Sequence, residues 1–183
     1  MRINISTDLK QAERYLSDIE RKILPRAASS AINKALTQTR TQAVRRISKE
    51  TGLKQKSVRS RFGLQRSRPT TLSGTLALTE GRFPNIASFN GRQTKKGVSA
   101  NAWGRRKIYH GTFLIQRPWG PVAVARKIRG QRYPLKPIFG PSLVKTMAAL
   151  PLSNELEDFA QRKFRRLFNH EVKYRLSLLR GGG

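Results

Sequence analysis

The chain has 183 residues, and its dominant property is a large excess of basic side chains. It contains 38 Lys and Arg against 10 Asp and Glu, which gives a formal net charge of +28. The length suits one well-packed domain, and 37% hydrophobic residues are enough for a core. Because self-repulsion on this scale disfavours an isolated compact monomer, the charge indicates a polyanionic or acidic partner.

The composition also excludes several classes of protein and site. The sequence has no cysteine, which excludes disulfides and thiolate metal sites and suits a protein made in a reducing cytoplasm. No apolar run approaches the roughly twenty residues that a membrane span needs. The sequence also has no lipidation motif and no signal-peptide core. We therefore expect no membrane partner.

The positive charge is concentrated in the middle of the chain. Residues 51–154 contain twenty basic residues and one acidic residue, Glu80. This stretch carries a charge of +19, and the two ends share the remaining +9. We expect the middle of the chain to face the polyanion and the ends to form ordinary helices.

The first 61 residues predict a helical N-terminal part. Residues 2–6 alternate and predict a short strand, and the apolar residues between 9 and 23 recur at helical spacing. Pro25 is expected to break this helix and to begin a second one, alanine-rich on its buried side, that ends near Gly52. A short basic helix is predicted at residues 53–61.

Residues 62–141 predict a basic, β-rich part. Segments at 72–79, 107–116 and 121–127 are rich in β-forming residues and are interrupted by Gly and Pro. Residues 90–106 are polar and basic and contain several glycines, so we interpret them as a long loop or hairpin arm that need not be ordered without a partner. The prolines at 133–137 predict an extended segment or an edge strand.

Residues 142–180 predict two C-terminal helices. The first is short, from Leu143 to Ala149, and the second runs from Ser153 or Asn154 to about Leu179. Acidic residues crowd the first turn of the long helix and basic residues its end, as the helix dipole favours. Together these elements predict a single α+β domain over residues 1–183. Its N-terminal and long C-terminal helices pack on a mainly antiparallel central β-sheet with a basic extended loop.

No catalytic constellation is complete in this sequence. The only histidines, His110 and His170, show no pairing with a nucleophile. A metal-dependent nuclease needs clustered carboxylates to hold its cations, and the basic middle offers only Glu80. No Walker-type loop or dinucleotide-binding fingerprint is present. We therefore predict no catalytic residues, no metal site and no cofactor, and a protein that is not an enzyme.

Residues 43–62 resemble a helix-turn-helix and suggest an alternative function. Gly52 would make the turn, Val58 would anchor the second helix, and Lys54 would be among the side chains presented to a DNA groove. A DNA-binding regulator is therefore the alternative. We favour a structural turn, because the motif covers a small part of the chain and the positive charge extends far beyond it.

Several segments, in the same order along the chain, resemble the prophage minor tail protein Z family. They are AINKA at 31–35, TGL at 51–53, GRQTKKGVSA at 91–100, WGRRK at 103–107, GTFLI at 111–115, YPL at 133–135, FGPS at 139–142 and FNHE at 168–171. Independent segments agree, so the resemblance is more specific than any single motif. One departure is Tyr133, where a leucine or similar residue is expected.

This resemblance implies a virion structural protein in the tail of a long-tailed bacteriophage. It implies a role in tail completion at the head-proximal end, where the tube, its terminator and the tape-measure protein meet. It further implies a role in positioning the genome end at the head–tail joint. We expect several copies around the tail axis, present in the host cytoplasm during assembly and in the virion afterwards. The family brings no active-site residues.

Basic side chains in the middle of the chain are candidates for contact with DNA or with a partner. The first group lies on the predicted arm and the second follows it: Lys95, Lys96, Arg105, Arg106 and Lys107, then Arg126, Lys127, Arg129 and Arg132. Such residues bind phosphate groups without reading base sequence. Acidic groups on tail proteins, or solvent alone, are the other environments that suit them.

Overall fold

A computed structural model describes residues 19–79, 83–116, 120–128, 133–149 and 152–180. The four α-helices in these ranges are α1 (Leu24–Thr51), α2 (Gln55–Arg59), α3 (Leu143–Ala149) and α4 (Leu152–Arg180). The strands are β1 (Phe62–Gln65), β2 (Thr75–Leu78), β3 (Arg92–Thr94), β4 (Gly97–Ala102), β5 (Arg105–His110), β6 (Thr112–Ile115), β7 (Ala123–Lys127) and β8 (Leu135–Pro137). The α+β class predicted from the sequence is confirmed.

In the part of the chain that the structure describes, three small sheets replace the one central sheet that we expected. Strands β1 and β2 form a pair, β3-β4-β5 form a second sheet, and β6-β7-β8 form a third. Every pairing in the two three-stranded sheets is antiparallel. Strand β8 pairs only with β7, in agreement with the edge strand predicted from its prolines.

Pro25 does not break the N-terminal helix, so that prediction was wrong. A π-helical turn at Ile19–Ile23 continues directly into α1, and Pro25 is the second residue of α1. A proline ring clashes with the carbonyl four residues earlier and has no N–H to donate. That carbonyl belongs to Arg21, which lies inside the wider π-helical turn, where the α-helical hydrogen-bond pattern is already interrupted. The strand predicted at 2–6 and most of the helix predicted at 9–23 lie outside the described residues.

The other predicted helices are confirmed. Helix α1 ends at Thr51, directly before Gly52, whose φ of +77° is the left-handed conformation that commonly terminates helices. Helix α3 has the predicted bounds, and α4 begins one or two residues before its predicted start.

The chain divides into two compact units, and both long helices contribute to each of them. The first unit contains residues 19–39, 64–76 and 157–180, and the second contains residues 40–63 and the described residues within 77–156. The single domain inferred from the sequence stays a prediction.

In the first unit, hydrogen bonds from α1 hold the loop between β1 and β2. Ser29 Oγ and Asn33 Nδ2 each donate to the Ser67 carbonyl at 3.0 Å, and Ser67 N donates to Asn33 Oδ1 at 2.9 Å. Ser29 and Ser67 are both buried, and buried polar groups are tolerated when they are paired in this way.

The first unit also buries one carboxylate, Glu171 of α4. Its oxygens accept hydrogen bonds from Lys34 Nζ and from Arg175, the latter at 3.4 Å. Burial opposes ionisation of Glu171, but hydrogen bonds from Lys34 and Ser30 and the charges of Lys34 and Arg175 outweigh it. They hold the pKa of Glu171 below its ordinary value. Glu171 is therefore ionised at neutral pH and ties α4 to α1 through Lys34.

In the second unit, the core lies under β4 and β7. The largest fully buried side chains there include Phe89, Ile47, Ile86, Val98 and Val124. Asn85 links the 3₁₀ turn at Ile86–Ser88 to β7, because its Oδ1 accepts from Val124 N at 2.7 Å and from Ala87 N at 3.0 Å. A side chain at Gly140 would lie 2.2 Å from the ring of Phe89, so glycine is required there for the ring to pack.

Replacing Gly52 with alanine is expected to destabilise the protein by about 3 kcal/mol or more. A left-handed backbone costs a non-glycine residue roughly 1–2 kcal/mol, and overpacking adds about 1–3 kcal/mol. The new Cβ would lie 1.9 Å from the Asn101 carbonyl oxygen. Gly111→Ala is the matched control, since Gly111 has a φ of +67° but no atom within 4 Å of the added Cβ. Urea denaturation measures both, and equal losses would contradict the predicted clash.

Glu171→Gln is expected to lower the free energy of unfolding by about 1–3 kcal/mol at pH 7, because it removes the ionised acceptor for Lys34 and Arg175. Since the folded-state pKa of Glu171 is lowered, this contribution is present above the unfolded pKa of about 4.3 and is lost as pH falls through the folded pKa. The difference between wild type and variant should therefore shrink below about pH 4.

Glu155→Gln is the matched control for this prediction, because the Arg46–Glu155 pair is 3.2 Å long but both of its side chains are exposed. It should change stability by less than about 1 kcal/mol. A Glu171→Gln loss that is independent of pH would show that packing, and not ionisation, accounts for the effect.

Candidate polyanion-binding surface

Two consecutive hairpins form the basic segment at 90–106. Lys95 and Lys96 make the turn between β3 and β4, and Trp103 and Gly104 make the turn between β4 and β5. Both residues of the second turn have positive φ, 57° and 68°, as a type I′ hairpin turn requires. The hairpin interpretation is thus confirmed, whereas the expected extended loop is wrong, because β4 alternates buried residues through the core.

The five candidates of the first group do not form one patch. Lys95 and Lys96 precede β4, while Arg105 follows it, and the six residues of β4 span about 20 Å. Within β5, cross-strand pairing places Arg105 and Lys107 on the face of the buried Ala102 and Ala100. Arg106 lies on the opposite face. The structure therefore separates this group into three locations.

Lys107 is held against two aromatic rings. Its Nζ lies 5.4 Å from the centroid of Trp103 and 5.0 Å from that of Tyr109, within the range of cation–π attraction. Burial raises the pKa of the Tyr109 hydroxyl, which has no hydrogen-bond partner among the described residues. Trp103 is 52% exposed. The ammonium group of Lys107 therefore already interacts with two rings of its own hairpin, so it is less available to a ligand than that of a lysine in a turn.

Of the second group of candidates, the described Arg126 and Lys127 lie near the Lys95–Lys96 turn. Gly111 N donates to the Lys96 carbonyl at 3.4 Å, and the next residue, Thr112, pairs with Arg126 in β7. Lys136 pairs with Arg126 from the other side. The sheets therefore bring Arg126 and Lys136 to the same end as Lys95 and Lys96, and Lys127 follows at the end of β7. Arg129 and Arg132 lie outside the described residues.

Arg106 lines a polar cavity of about 680 Å³ that the sequence analysis did not anticipate. We call it the Arg106 pocket. Its lining residues come from the start of α2, the 3₁₀ turn and the β3–β5 sheet: Lys54, Ser57, Ala87, Ser88, Asn90, Gly91, Arg92 and Arg106. All belong to the second compact unit. Among the described residues, the pocket thus brings together three cationic side chains and no carboxylate.

A second cavity in this unit, about 610 Å³ in volume, has a different chemistry. Its lining is mainly apolar and includes Phe83, Ile115, Val122, Leu135 and Phe139. Arg61 is its one charged lining residue in the described ranges. A polyanion is therefore better matched by the Arg106 pocket.

Comparison with known proteins identifies the family of the chain. The model of the family described as prophage minor tail protein Z matches residues 7–180. The chain belongs to this family. It is also 27% identical over 184 residues to the tail completion protein Z of Escherichia phage lambda, an alignment that covers 92% of each chain. No solved structure gives a significant match. The family resemblance inferred from the sequence is confirmed.

The described carboxylates of this minor tail protein Z family member do not form a metal-binding cluster. In the described ranges, no group of three or more His, Cys, Asp or Glu side chains is placed to hold a metal ion. His110 is exposed at the end of β5, and His170 is exposed on α4. No helix within these ranges is both long and apolar enough to cross a membrane.

The helix-turn-helix-like segment of this family member is part of the second unit. A side chain at Gly52 would overlap the Asn101 carbonyl, and Val58 is fully buried, so the turn packs against β4. Helix α2 has five residues, a length of about 7.5 Å. Lys54, which the motif would present to a groove, instead lines the Arg106 pocket together with Ser57. Sequence reasoning singled out Lys54 and Arg106 for separate reasons and missed Arg92.

Proposed function

We propose that this chain completes the phage tail, as a structural component at its head-proximal end. The observation that carries the proposal is the family match over residues 7–180. The similarity to the tail completion protein Z of Escherichia phage lambda supports it, because the alignment covers 92% of both chains. The proposed location is the tail of the virion, in contact with other tail proteins such as the tube, the terminator and the tape measure.

A structural role is also supported by the chemistry of the described surface. A polyanion-binding or protein-binding surface requires exposed cations, and the lysines and arginines of the β3–β4 turn and of β5 are exposed. Catalysis requires a nucleophile with a base, or a metal with its ligands, and we propose neither here. The chain acts by binding and not by transforming a substrate.

The proposed role includes positioning the genome end at the head–tail joint. Phosphate contacts by Lys and Arg hold a duplex without reading its sequence. The exposed Lys95, Lys96, Arg126 and Lys136 at one end of the sheets are the proposed contact residues, and Lys127, Arg105 and Lys107 extend the set. Acidic groups of tail proteins are the alternative partners for the same side chains. Several copies around the tail axis would multiply these contacts.

Disrupting the gene is expected to leave heads normal and to produce defective tails, because the chain is needed to complete the tail and not to build the head. The chain should co-sediment with purified tails in a sucrose gradient, and complementation with the intact gene should restore infectivity. A chain absent from purified particles would contradict the proposal. A sequence-specific footprint on duplex DNA would favour the regulator that the 43–62 segment suggests, and metal-dependent DNA cleavage would favour a nuclease.

Reversing the charge of the β3–β4 turn with Lys95→Glu and Lys96→Glu is expected to leave folding intact and to lower phage titre at least tenfold. Both lysines are exposed turn residues, and surface changes of this kind usually alter stability by less than about 0.5 kcal/mol. The matched control is Arg165→Glu with Arg166→Glu, two exposed residues of α4 that change net charge equally. Plaque titre and circular dichroism measure the two effects. Wild-type titres from the turn variant would remove this turn from the proposed contact surface.

A further inference from the structure

We propose that the Arg106 pocket binds a phosphate group of the DNA backbone. The proposal rests on the proposed function for the identity of the polyanion, and it adds a defined site to it. The observation behind it is the convergence of Lys54, Arg92 and Arg106 on one cavity of about 680 Å³. A volume in this range accommodates a phosphate with its flanking sugars, whereas a whole duplex lies outside.

The arginine that gives the pocket its name is held in place before any ligand arrives. Arg106 donates from Nη1 to Ser99 Oγ at 3.2 Å and from Nη2 to the Asn90 carbonyl at 3.4 Å. A guanidinium has five N–H donors, so these two bonds fix its orientation and leave donors for a ligand. An anchored cation loses less conformational entropy on binding than a free one.

Sheet register places Arg92 on the same face as Arg106. Arg92 pairs with Ser99, the residue whose hydroxyl accepts a hydrogen bond from Arg106, so both arginines are neighbours of one serine. Arg92 lies on β3 and Arg106 on β5, the two strands that flank β4 in this sheet. Lys54 adds a third positive charge from the residue before α2. An anion bound among these three cations would interact favourably with all of them.

No carboxylate in the described ranges compensates these charges. The ion pairs seen there join Lys34 and Arg175 to Glu171 and Arg46 to Glu155. None involves a cation of the Arg106 pocket, whose lining residues include no Asp or Glu. Lys54, Arg92 and Arg106 are all exposed, so their charges remain available to an external anion.

The lining of the pocket favours a phosphate over the acidic side chain of a protein partner. Protein–protein interfaces have an apolar core surrounded by a polar rim, and among the described residues that line this pocket the only apolar side chain is that of Ala87. Ser57, Ser88 and Asn90 supply further hydrogen-bonding groups. Nucleic-acid contacts have this composition, since arginine and short polar side chains together position phosphate oxygens.

The test measures the affinity of the full chain for two 30-base-pair duplexes of unrelated sequence by fluorescence anisotropy across a range of salt concentrations. Arg92→Gln with Arg106→Gln should weaken binding to both duplexes about tenfold and reduce the slope of log affinity against log salt by about one. The control, Arg165→Gln with Arg166→Gln, removes the same charge from exposed arginines of α4 and should change affinity less than threefold. Circular dichroism establishes that each variant is folded, and Lys54→Gln serves as a second pocket variant should the double one unfold.

Three outcomes would overturn the proposal. One is an equal loss in the pocket variant and the control, which would mean that net charge alone sets the affinity. Another is saturable binding of inorganic phosphate by isothermal titration calorimetry without any effect of the pocket variant on duplex affinity, which would make the site one for free phosphate. The third is normal duplex binding by the pocket variant together with lost binding to a poly-glutamate peptide, which would assign the pocket to an acidic protein.

The experiments distinguish failure of the phosphate-pocket proposal from failure of the proposed function. The wild-type chain can be located in purified tails whatever its pocket binds, and the duplex measurement requires no tails. If the chain is found in tails but the pocket substitutions do not change its affinity for duplex DNA, only the pocket proposal is overturned.

Discussion

The main constraint on this fold is that its cations have almost no carboxylates with which to pair. Residues 51–154 contain one acidic residue, so their basic side chains must lie in water or against a partner. The structure meets this constraint by placing cations in the Lys95–Lys96 turn and on β5, at the edge of its sheet. The buried residues of β4 between them are small and uncharged: Gly97, Val98, Ala100 and Ala102. The carboxylate that is buried, Glu171, lies in the other compact unit and is satisfied by its own pair of cations. Charge therefore decides which residues of the hairpins can form a core.

The helices were predictable because their signals are local. An alanine-rich stripe, a terminating Gly52 and acidic residues at the start of α4 all act within a few residues along the chain. The sheet of β3, β4 and β5 was not predicted from the sequence, and the reason is also physical. The inward residues of β4 are so small that its alternation carries little hydrophobic contrast, and Trp103 occupies a turn position that usually holds Asn or Gly. The strand packs closely against Gly52, which favours such small residues. For this reason the hydrophobic pattern of the sequence did not predict β4.

The candidate surface was predictable in composition but not in geometry. From the sequence, Arg106 was placed on an arm and Lys54 on a helix that would read a DNA groove, because the sequence shows which residues are adjacent in the chain but not which are adjacent in the fold. Strand register then put Arg105 and Arg106 on opposite faces and joined Arg92 to Arg106 across Ser99. Because side chains alternate along a strand, a run of basic residues is divided between two surfaces as soon as it pairs. The sequence was enough to identify the basic run, but the strand pairing was needed to determine which surfaces its residues form.

The helix-turn-helix-like segment and the proposed phosphate pocket also bear on each other. In a sequence reader the second helix must lie in the major groove with several side chains directed at base edges. Here α2 has five residues, Val58 is buried in the core, and Lys54 and Ser57 line a cavity shared with the sheet. That arrangement places Lys54 in the same pocket as Arg92 and Arg106. The proposed ligand of this pocket is a phosphate group, which is the same at every base pair of DNA. Contacts of this kind need no base readout. The same short helix that looks like a reader in the sequence is therefore better suited, in this fold, to gripping the backbone.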